Sequence, residues 1–179
     1  MNTWVTSDLH FGHANIMNFC AKTRPYNDVK HMNESMVLDW NAQVQPDDTV
    51  YILGDLAFMP AAEAVKLFNR LNGDKILVEG NHDRKILRDP VFRKCFAEIH
   101  NYLEVRHDGT LVVMFHYPIA EWNQCHRGAV HFHGHLHGNP SGIEQYRALD
   151  VGMDATGSVV TFMQDAIRLA MRGKIRGHH

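Results

Sequence analysis

Cysteine is scarce: the chain of 179 residues has three, Cys20, Cys95 and Cys125. Their number is odd, their spacing is wide and no CxxC pair occurs, so no disulfide framework is expected and a reducing cytoplasm is the expected location. Long apolar runs are missing too. No stretch approaches the ~20 residues of a membrane span. The opening Met1-Asn2-Thr3-Trp4-Val5-Thr6-Ser7-Asp8 lacks a basic segment followed by an apolar one, so no signal peptide is expected. Charge of neither sign is in excess. Lys and Arg number 18 against 20 Asp and Glu, a formal net charge of −2, which argues against a polybasic nucleic-acid binder and against an acidic disordered tail. Internal repeats, low-complexity segments and linkers are absent as well. With 45% hydrophobic residues and a length near the ~150 residues typical per domain, the sequence is expected to form a single domain over residues 1–179.

What the chain has in quantity is histidine, 14 residues of it. Their placement is best judged against the predicted elements. Short continuous apolar runs at 4–6, 50–53, 76–78, 111–115 and 130–132 read as strands buried on both faces. Val29, Met32, Met36, Val37, Trp40 and Val44 recur at helical steps and predict an amphipathic helix over about 30–44, with Trp40 and the methionines as core. Pro60 suits a first helical turn, and Ala64, Val65, Leu67, Phe68 and Leu71 continue it until Asn72-Gly73-Asp74. Thr161 and Gln164 read as a capping box ahead of a last helix carrying Phe162, Met163, Ala166, Ile167 and Ala170. Asp108-Gly109 predicts a hairpin turn. Strand and helix alternate in the first half and strands dominate the second. The expected fold class is therefore α/β, a four-layer α/β/β/α sandwich of two mixed sheets flanked by helices.

Polar blocks follow the predicted strands directly. They are Asp8-Leu9-His10, Gly54-Asp55, Gly80-Asn81-His82-Asp83, His116-Tyr117-Pro118 and Gly134-His135-Leu136-His137. Ligands of α/β sheets gather at the carboxyl ends of strands, and five strands here deliver Asp, Asn or His to such an end. Oxygen and imidazole donors without thiolate suit Mn, Fe, Zn, Ni or Co and disfavour a structural Cys-type zinc. Seven candidate ligands are too many for one ion once water is added; two ions sharing a carboxylate is the simpler arrangement. Gly54, Gly80 and Gly134 stand before ligands, where the chain must turn sharply.

DxH, GD, GNHD, H and GHxH in this order resemble the calcineurin-like metallophosphoesterase family, in particular its small, cap-free bacterial and phage members. The resemblance runs from residue 8 to 137. It implies one metal on Asp8, His10 and His137, a second on Asn81, His116 and His135, and Asp55 bridging the two. It further implies a hydroxide between the ions as nucleophile, and a residual positive charge that favours an anionic ester. His82 corresponds to the histidine that protonates the leaving oxygen, with Asp83 orienting it. Asn81 also faces the substrate phosphate. Arg84 either adds charge to that phosphate or sits in an exposed ion pair. His13 either contacts substrate near the mouth of the site or hydrogen-bonds within its loop.

The other histidines are assigned plainer roles. His131 and His133 are strand residues or supports behind the ligands, and His31, His100, His107 and His126 are surface. His178 and His179, native or left by a purification tag, are excluded from the site. The expected cofactors are two divalent ions, Mn first, with Fe, Ni, Zn, Co or Mg as alternatives. The expected reaction is hydrolysis of small phosphodiesters, nucleotide-like or cyclic. A phosphomonoesterase or protein phosphatase is the alternative, and a non-catalytic scaffold of the same fold comes third. Segments 11–30, 56–60 and 117–129 are long enough to face substrate, and in the last of them Tyr117, Trp122, Asn123 and Arg127 are candidates to stack a base or hold a second phosphate. Near-neutral charge speaks against long nucleic acid as partner, no membrane partner is expected, and the oligomeric state is left open.

Overall fold

The computed structural model describes residues 1–177; His178 and His179 lie outside the described residues. Two mixed sheets pack together with helices flanking them. The first sheet contains β1 (Thr3–Thr6), β2 (Thr49–Ile52), β3 (Asp74–Val78), β4 (Glu98–His100) and β9 (Thr161–Phe162), in the order β4-β3-β2-β1-β9. Its first four strands are parallel and β9 runs antiparallel to β1. The second sheet contains β5 (Leu103–His107), β6 (Thr110–Met114), β7 (Val130–His133) and β8 (Ala148–Asp150), in that order. Strands β5 and β6 form the expected hairpin, and β6, β7 and β8 are parallel. Asp108 (φ 45°) and Gly109 (φ 81°) both take the left-handed backbone that a two-residue hairpin turn requires.

The period of two along each strand divides its side chains between layers. Val50 and Ile52 pack outward against the helices, while Val5, Leu53 and Val78 meet Val112, Met114, Val130 and Phe132 between the sheets. This double burial is why the predicted strands read as unbroken apolar runs. Helix α1 (Ile16–Phe19) is a single turn, and α2 (Val29–Gln43) is the predicted amphipathic helix. Asp28 caps α2 by accepting from His31 N at 2.7 Å. Met32, Met36 and Trp40 face the core, as expected. Helix α3 (Ala61–Phe68) begins after Pro60, and turns carry the chain on to Leu71. Helix α4 (Pro90–Arg93) is short. Helix α5 (Met153–Thr156) is also short, and α6 (Met163–Ala170) buries Met163, Ala166, Ile167 and Ala170 in the inter-sheet core.

The capping box expected at Thr161–Gln164 is not formed. Thr161 is drawn into β9 opposite Val5, Phe162 becomes the N-cap of α6, and no side chain caps that helix. Sheet pairing has taken the residue that the local pattern assigned to a cap. On the outer face of the second sheet, Trp122, Cys125 and Ala129 cover Leu111 and Val113, so segment 117–129 is partly core. Among the described residues, no helix is long and apolar enough to cross a membrane.

Candidate metal centre

Register brings the polar blocks to one edge. Thr6 pairs with Ile52 and Ile52 with Leu77, so β1, β2 and β3 release their chains at the same level. Met114 pairs with Phe132, which does the same for His116 and Gly134-His135 in the second sheet. The loops then lace together: Asp8 N donates to Gly54 O at 3.0 Å and His10 N to Asp55 O at 3.0 Å. The close approach needs glycine. At Gly134 a Cβ would overlap Ser7 Oγ and Asp8 Oδ2, and at Gly54 (φ +89°) it would collide with the Gly80 backbone and lie 2.9 Å from His116 Nδ1.

Seven non-glycine residues among those described have positive φ, and five of them are Asp8, His10, Asp55, His135 and His137. A side chain in this region costs on the order of 1–3 kcal/mol and persists only where surrounding structure imposes it. Its concentration on expected ligands marks this edge as the strained part of the fold.

The structure brings all seven expected ligands together. Asp8, His10 and His137 form one group and Asp55, His116 and His135 another, each with its donor atoms within 4.8 Å of one another. Asp8 Oδ1 lies 3.9 Å from His10 Nε2 and 4.0 Å from His137 Nε2. Donors each ~2.1 Å from a common ion stand roughly 3–4 Å apart, so these separations fit. Asp55 lies between the groups, with Oδ2 3.6 Å from His10 Nε2 and Oδ1 3.6 Å from His116 Nε2. Asn81 Oδ1 is 2.8 Å from His116 Nε2.

Electrostatics fit cations as well. Asp8 Oδ1 and His10 Nε2 are buried with no hydrogen-bond partner, a costly state for polar atoms in a folded interior. Burial lifts Asp8 to a pKa of about 6 against the pull of His116 and His137, and burial with the neighbouring His137 drives His10 down to about 2. His10 is therefore neutral, the form that ligates metal. Neighbouring groups set the ring orientations. His116 Nδ1 donates to Leu53 O at 2.6 Å, leaving Nε2 to face the centre. In the neutral ring that Nε2 and Asn81 Oδ1 are two acceptors face to face, which a cation would resolve.

Two residues that sequence reasoning missed complete the first group. His137 Nδ1 donates to Asp154 Oδ2 at 2.7 Å. Arg24, 1% exposed, grips Asp154 through Nε at 3.0 Å and Nη2 at 2.8 Å, and also donates to the carbonyls of Asp8 (2.6 Å) and Leu9 (2.8 Å). Burial opposes ionisation of Asp154, but the hydrogen bonds from His137 and Arg24 prevail and hold its pKa far below the carboxylate range. The pair with Asp154 raises His137 despite its burial. Cys20, His137 and Asp154 also lie close enough to suggest a ligand group. Burial and the nearby Asp154 push the Cys20 thiol up to about 11, so it stays protonated.

The remaining expectations divide. His82 is half exposed, overhangs Asp55 with Nε2 4.0 Å from Oδ2, and donates from its backbone N to Asp55 Oδ1 at 3.0 Å. Asp83 does not orient that ring. Its buried carboxylate instead accepts from the backbone N of Asp55 (2.9 Å), Leu56 (2.8 Å) and Gly80 (2.8 Å), tying two loops together. His13 Nδ1 lies 3.1 Å from His10 Nδ1, the hydrogen-bonding alternative, and its ring stacks on Phe58 at 4.2 Å. His131 and His133 bond to the carbonyls of Val113 and Gly134, and burial lowers the pKa of His131 to about 3. Of the four candidates in 117–129, Tyr117 borders the centre, 4.6 Å from the His135 ring. Trp122 is core, with Nε1 donating to Ala129 O, and Asn123 bonds Glu104. His31 and His126 are exposed, while His100 and His107 are half-buried beside Glu98 and Asp108.

Fold and site together define a two-sheet α/β protein whose strand ends gather Asp and His side chains into groups that could hold metal ions. The chain belongs to the family of the Gene 66 protein of Mycobacterium phage D29, with which it is 32% identical over 182 residues, covering 86% of this chain and 88% of that protein. An uncharacterized protein of Methanocaldococcus jannaschii is 28% identical over 181 residues, covering 96% and 93%. No family model matches the chain. Among solved structures, a protein of unknown function from Aquifex aeolicus shares the fold, with a TM-score of 0.73, 24% identity and coverage of 94% of this chain and 98% of that one. An archaeal phosphodiesterase is more distant, at a TM-score of 0.45, 21% identity and coverage of 76% and 74%.

Proposed function

We propose that the protein is a calcineurin-like metallophosphoesterase that hydrolyses small phosphodiesters, nucleotide-like or cyclic, in the cytoplasm, with no long nucleic acid or membrane as partner. Asp8, His10 and His137 would hold one divalent ion and Asn81, His116 and His135 a second, with Asp55 reaching both. The observation that carries this reading is the pair of orphaned buried donors, Asp8 Oδ1 and His10 Nε2, 3.9 Å apart. When bound, the ions supply Lewis acidity and a water activated near neutral pH; Mn²⁺ is the first choice, with Fe, Ni, Zn, Co and Mg as alternatives.

The chain's own residues supply the rest. His82, whose side chain overhangs Asp55 from an exposed position, gives a proton from its ring to the leaving oxygen. A positioned acid of this kind contributes about 10²–10⁴-fold. Asn81 and Arg84 present an amide and a guanidinium to the phosphate. Asp83 fixes the backbone that carries Asp55, and Arg24 with Asp154 fixes the ring of His137.

A matrix of divalent ions against bis- and mono-p-nitrophenyl phosphate and cyclic nucleotides tests the reading. The expected result is diester turnover that depends on added metal and is abolished by chelator. Turnover of the monoester alone would replace the phosphodiesterase by a phosphomonoesterase. No turnover with any ion would leave a scaffold of the same fold.

A further inference from the structure

Beyond His82 the metal centre opens into a cleft of about 900 Å³. Asn81 and His82 line it, so it continues the centre itself. One wall is apolar, made by Phe58, Met59 and Pro60, and the other carries Arg84, Lys85 and Arg88. Among the described residues, none of these three cations has a side-chain hydrogen bond or ion pair. The acid of the cleft, Asp89, is engaged in capping α4, where Oδ1 accepts from Val91 N at 2.8 Å and Phe92 N at 3.0 Å. Phe58 stacks one face on His13 and His10, with interplanar angles of 19° and 9°, and remains 36% exposed along the cleft.

We propose that this cleft is a second anion subsite. It holds a non-reacting phosphate carried by the leaving group of a phosphodiester, as at the end of an oligonucleotide, with the leaving nucleoside against Phe58 and Pro60. The inference rests on the phosphoesterase reading. The scissile phosphate is already met by the ligand centre and Arg84, so Lys85 and Arg88, two further unpaired cations, call for a further anion. Their side of the centre is the side of His82. During hydrolysis water adds to phosphorus, the P–O bond to the leaving nucleoside breaks, and that oxygen takes its proton from His82; the group beyond the oxygen then lies in the cleft. A volume of this size accommodates a nucleotide. The near-neutral net charge conceals the subsite because it averages over the whole chain, and the sequence-level candidate for a second phosphate, Arg127, lies on another segment.

Thymidylyl-thymidine, bare or with a terminal phosphate at either end, tests the subsite on the full-length, metal-loaded protein and on the Lys85→Gln/Arg88→Gln variant. One phosphorylated form is expected to exceed the bare dinucleotide in kcat/KM by about tenfold, the scale of a charged hydrogen bond. The variant should bring that ratio close to one. Calorimetric binding to the metal-free protein should show the same preference, weakened by salt. A ratio of one in the unmodified protein, or a ratio the variant does not change, overturns the subsite. Bis-p-nitrophenyl phosphate carries no second phosphate and separates the two failures. If it resists every ion the phosphoesterase reading falls, while binding to the metal-free protein still decides for or against the cleft.

Discussion

Two buried aspartates stand at opposite ends of the same pair of strands. Asp48 precedes β2, Asp8 follows β1, and they are 2% and 0% exposed. Every side of the Asp48 carboxylate is used: Oδ1 accepts from Asn2 N at 2.5 Å, and Oδ2 from Trp4 Nε1 and Gln45 N, both at 3.0 Å. These donors, the Asn2 amide first, bring its pKa down to about 2. Asp8 accepts from His135 N at 2.9 Å through Oδ2, but its Oδ1 has no partner, its backbone is left-handed (φ 56°), and burial lifts its pKa to about 6. Residue type, sheet and low solvent exposure are shared, although Asp8 lies deep in the fold and Asp48 close to its surface. At one end the fold completes the hydrogen bonds of the charge; at the other it leaves an oxygen unpartnered beside two histidines. Unmet valence and depth together, rather than exposure alone, thus set the candidate ligand apart from the stabilising carboxylate.

The largest effect separates the two by activity. Asp8→Asn removes a ligand, and turnover should fall by roughly 10³-fold, at or beyond the upper end of what loss of one positioned charge-stabilising group costs. The metal-free variant should fold at least as well as the parent. Asp48→Asn should do the opposite, costing roughly 1–3 kcal/mol of stability through its broken charged hydrogen bonds while turnover at folded temperatures stays unchanged. Steady-state assays beside urea melts of both variants check this. Equal stability losses would collapse the distinction.

Asp154 sharpens the comparison, because it belongs to the metal end yet is completed like Asp48. Its partner is Arg24, and removing one member of a buried ion pair costs about 3–5 kcal/mol. Arg24→Met should therefore be the most destabilising of these changes. Asp154→Asn keeps the shape, should cost less stability, and should weaken metal affinity about 10–100-fold by freeing the His137 ring. Denaturant melts and metal titrations give the two numbers. If Asp154→Asn bound metal like the parent, His137 would need no such support.

The same contrast explains what the sequence shows and what it hides. Five strands were legible because their apolar runs are unbroken, and the hairpin turn at Asp108-Gly109 pointed to β5; β4, β8 and β9 were not, being two or three residues long with no apolar run. The convergence of the seven candidate ligands was legible because each lies in a short polar block just after a strand. Arg24 and Asp154 were not, since they stand in a loop and a one-turn helix with no block around them. Their roles exist only once residues 130 apart in the chain meet. Thr161 misled because a cap pattern is local and sheet pairing is not. Asp83 was placed correctly beside His82 in sequence, but adjacency does not say which way a carboxylate turns.

Divalent metal should act on one end alone. At a concentration about 100 times its Kd, an ion bound only by the folded state adds about 2.7 kcal/mol, which for a chain of this size raises Tm by roughly 5–10 °C. Thermal melts with Mn²⁺ and with chelator should show this shift in the parent and in Asp48→Asn, and lose most of it in Asp8→Asn and His137→Ala.

The smallest effect is a pair of opposite contributions, from Asp48 and Asp8, to the pH dependence of stability in the metal-free protein. Asp48 has a folded pKa depressed to about 2, so between its ordinary value near ~4 and about 2 the unfolded chain holds the proton and the folded one does not. Stability from Asp48 is thus full above pH ~4 and lost as the pH falls through about 2. Asp8 has a folded pKa raised to about 6, so between ~4 and about 6 its contribution to stability declines as the pH rises, against the larger rise that His10 and His131, held neutral in the fold, impose over the same window. Asp8→Asn should steepen the net rise of stability between pH ~4 and about 6 and leave the lower slope; Asp48→Asn should flatten the lower slope and leave the upper window. Saturating metal favours the ionised Asp8 and should remove its contribution in the upper window, because binding releases the proton that burial had retained. Urea melts at half-unit pH intervals, with and without metal, read all three signs. A profile between pH ~4 and about 6 that Asp8→Asn leaves unchanged would remove the unmet carboxylate from the account.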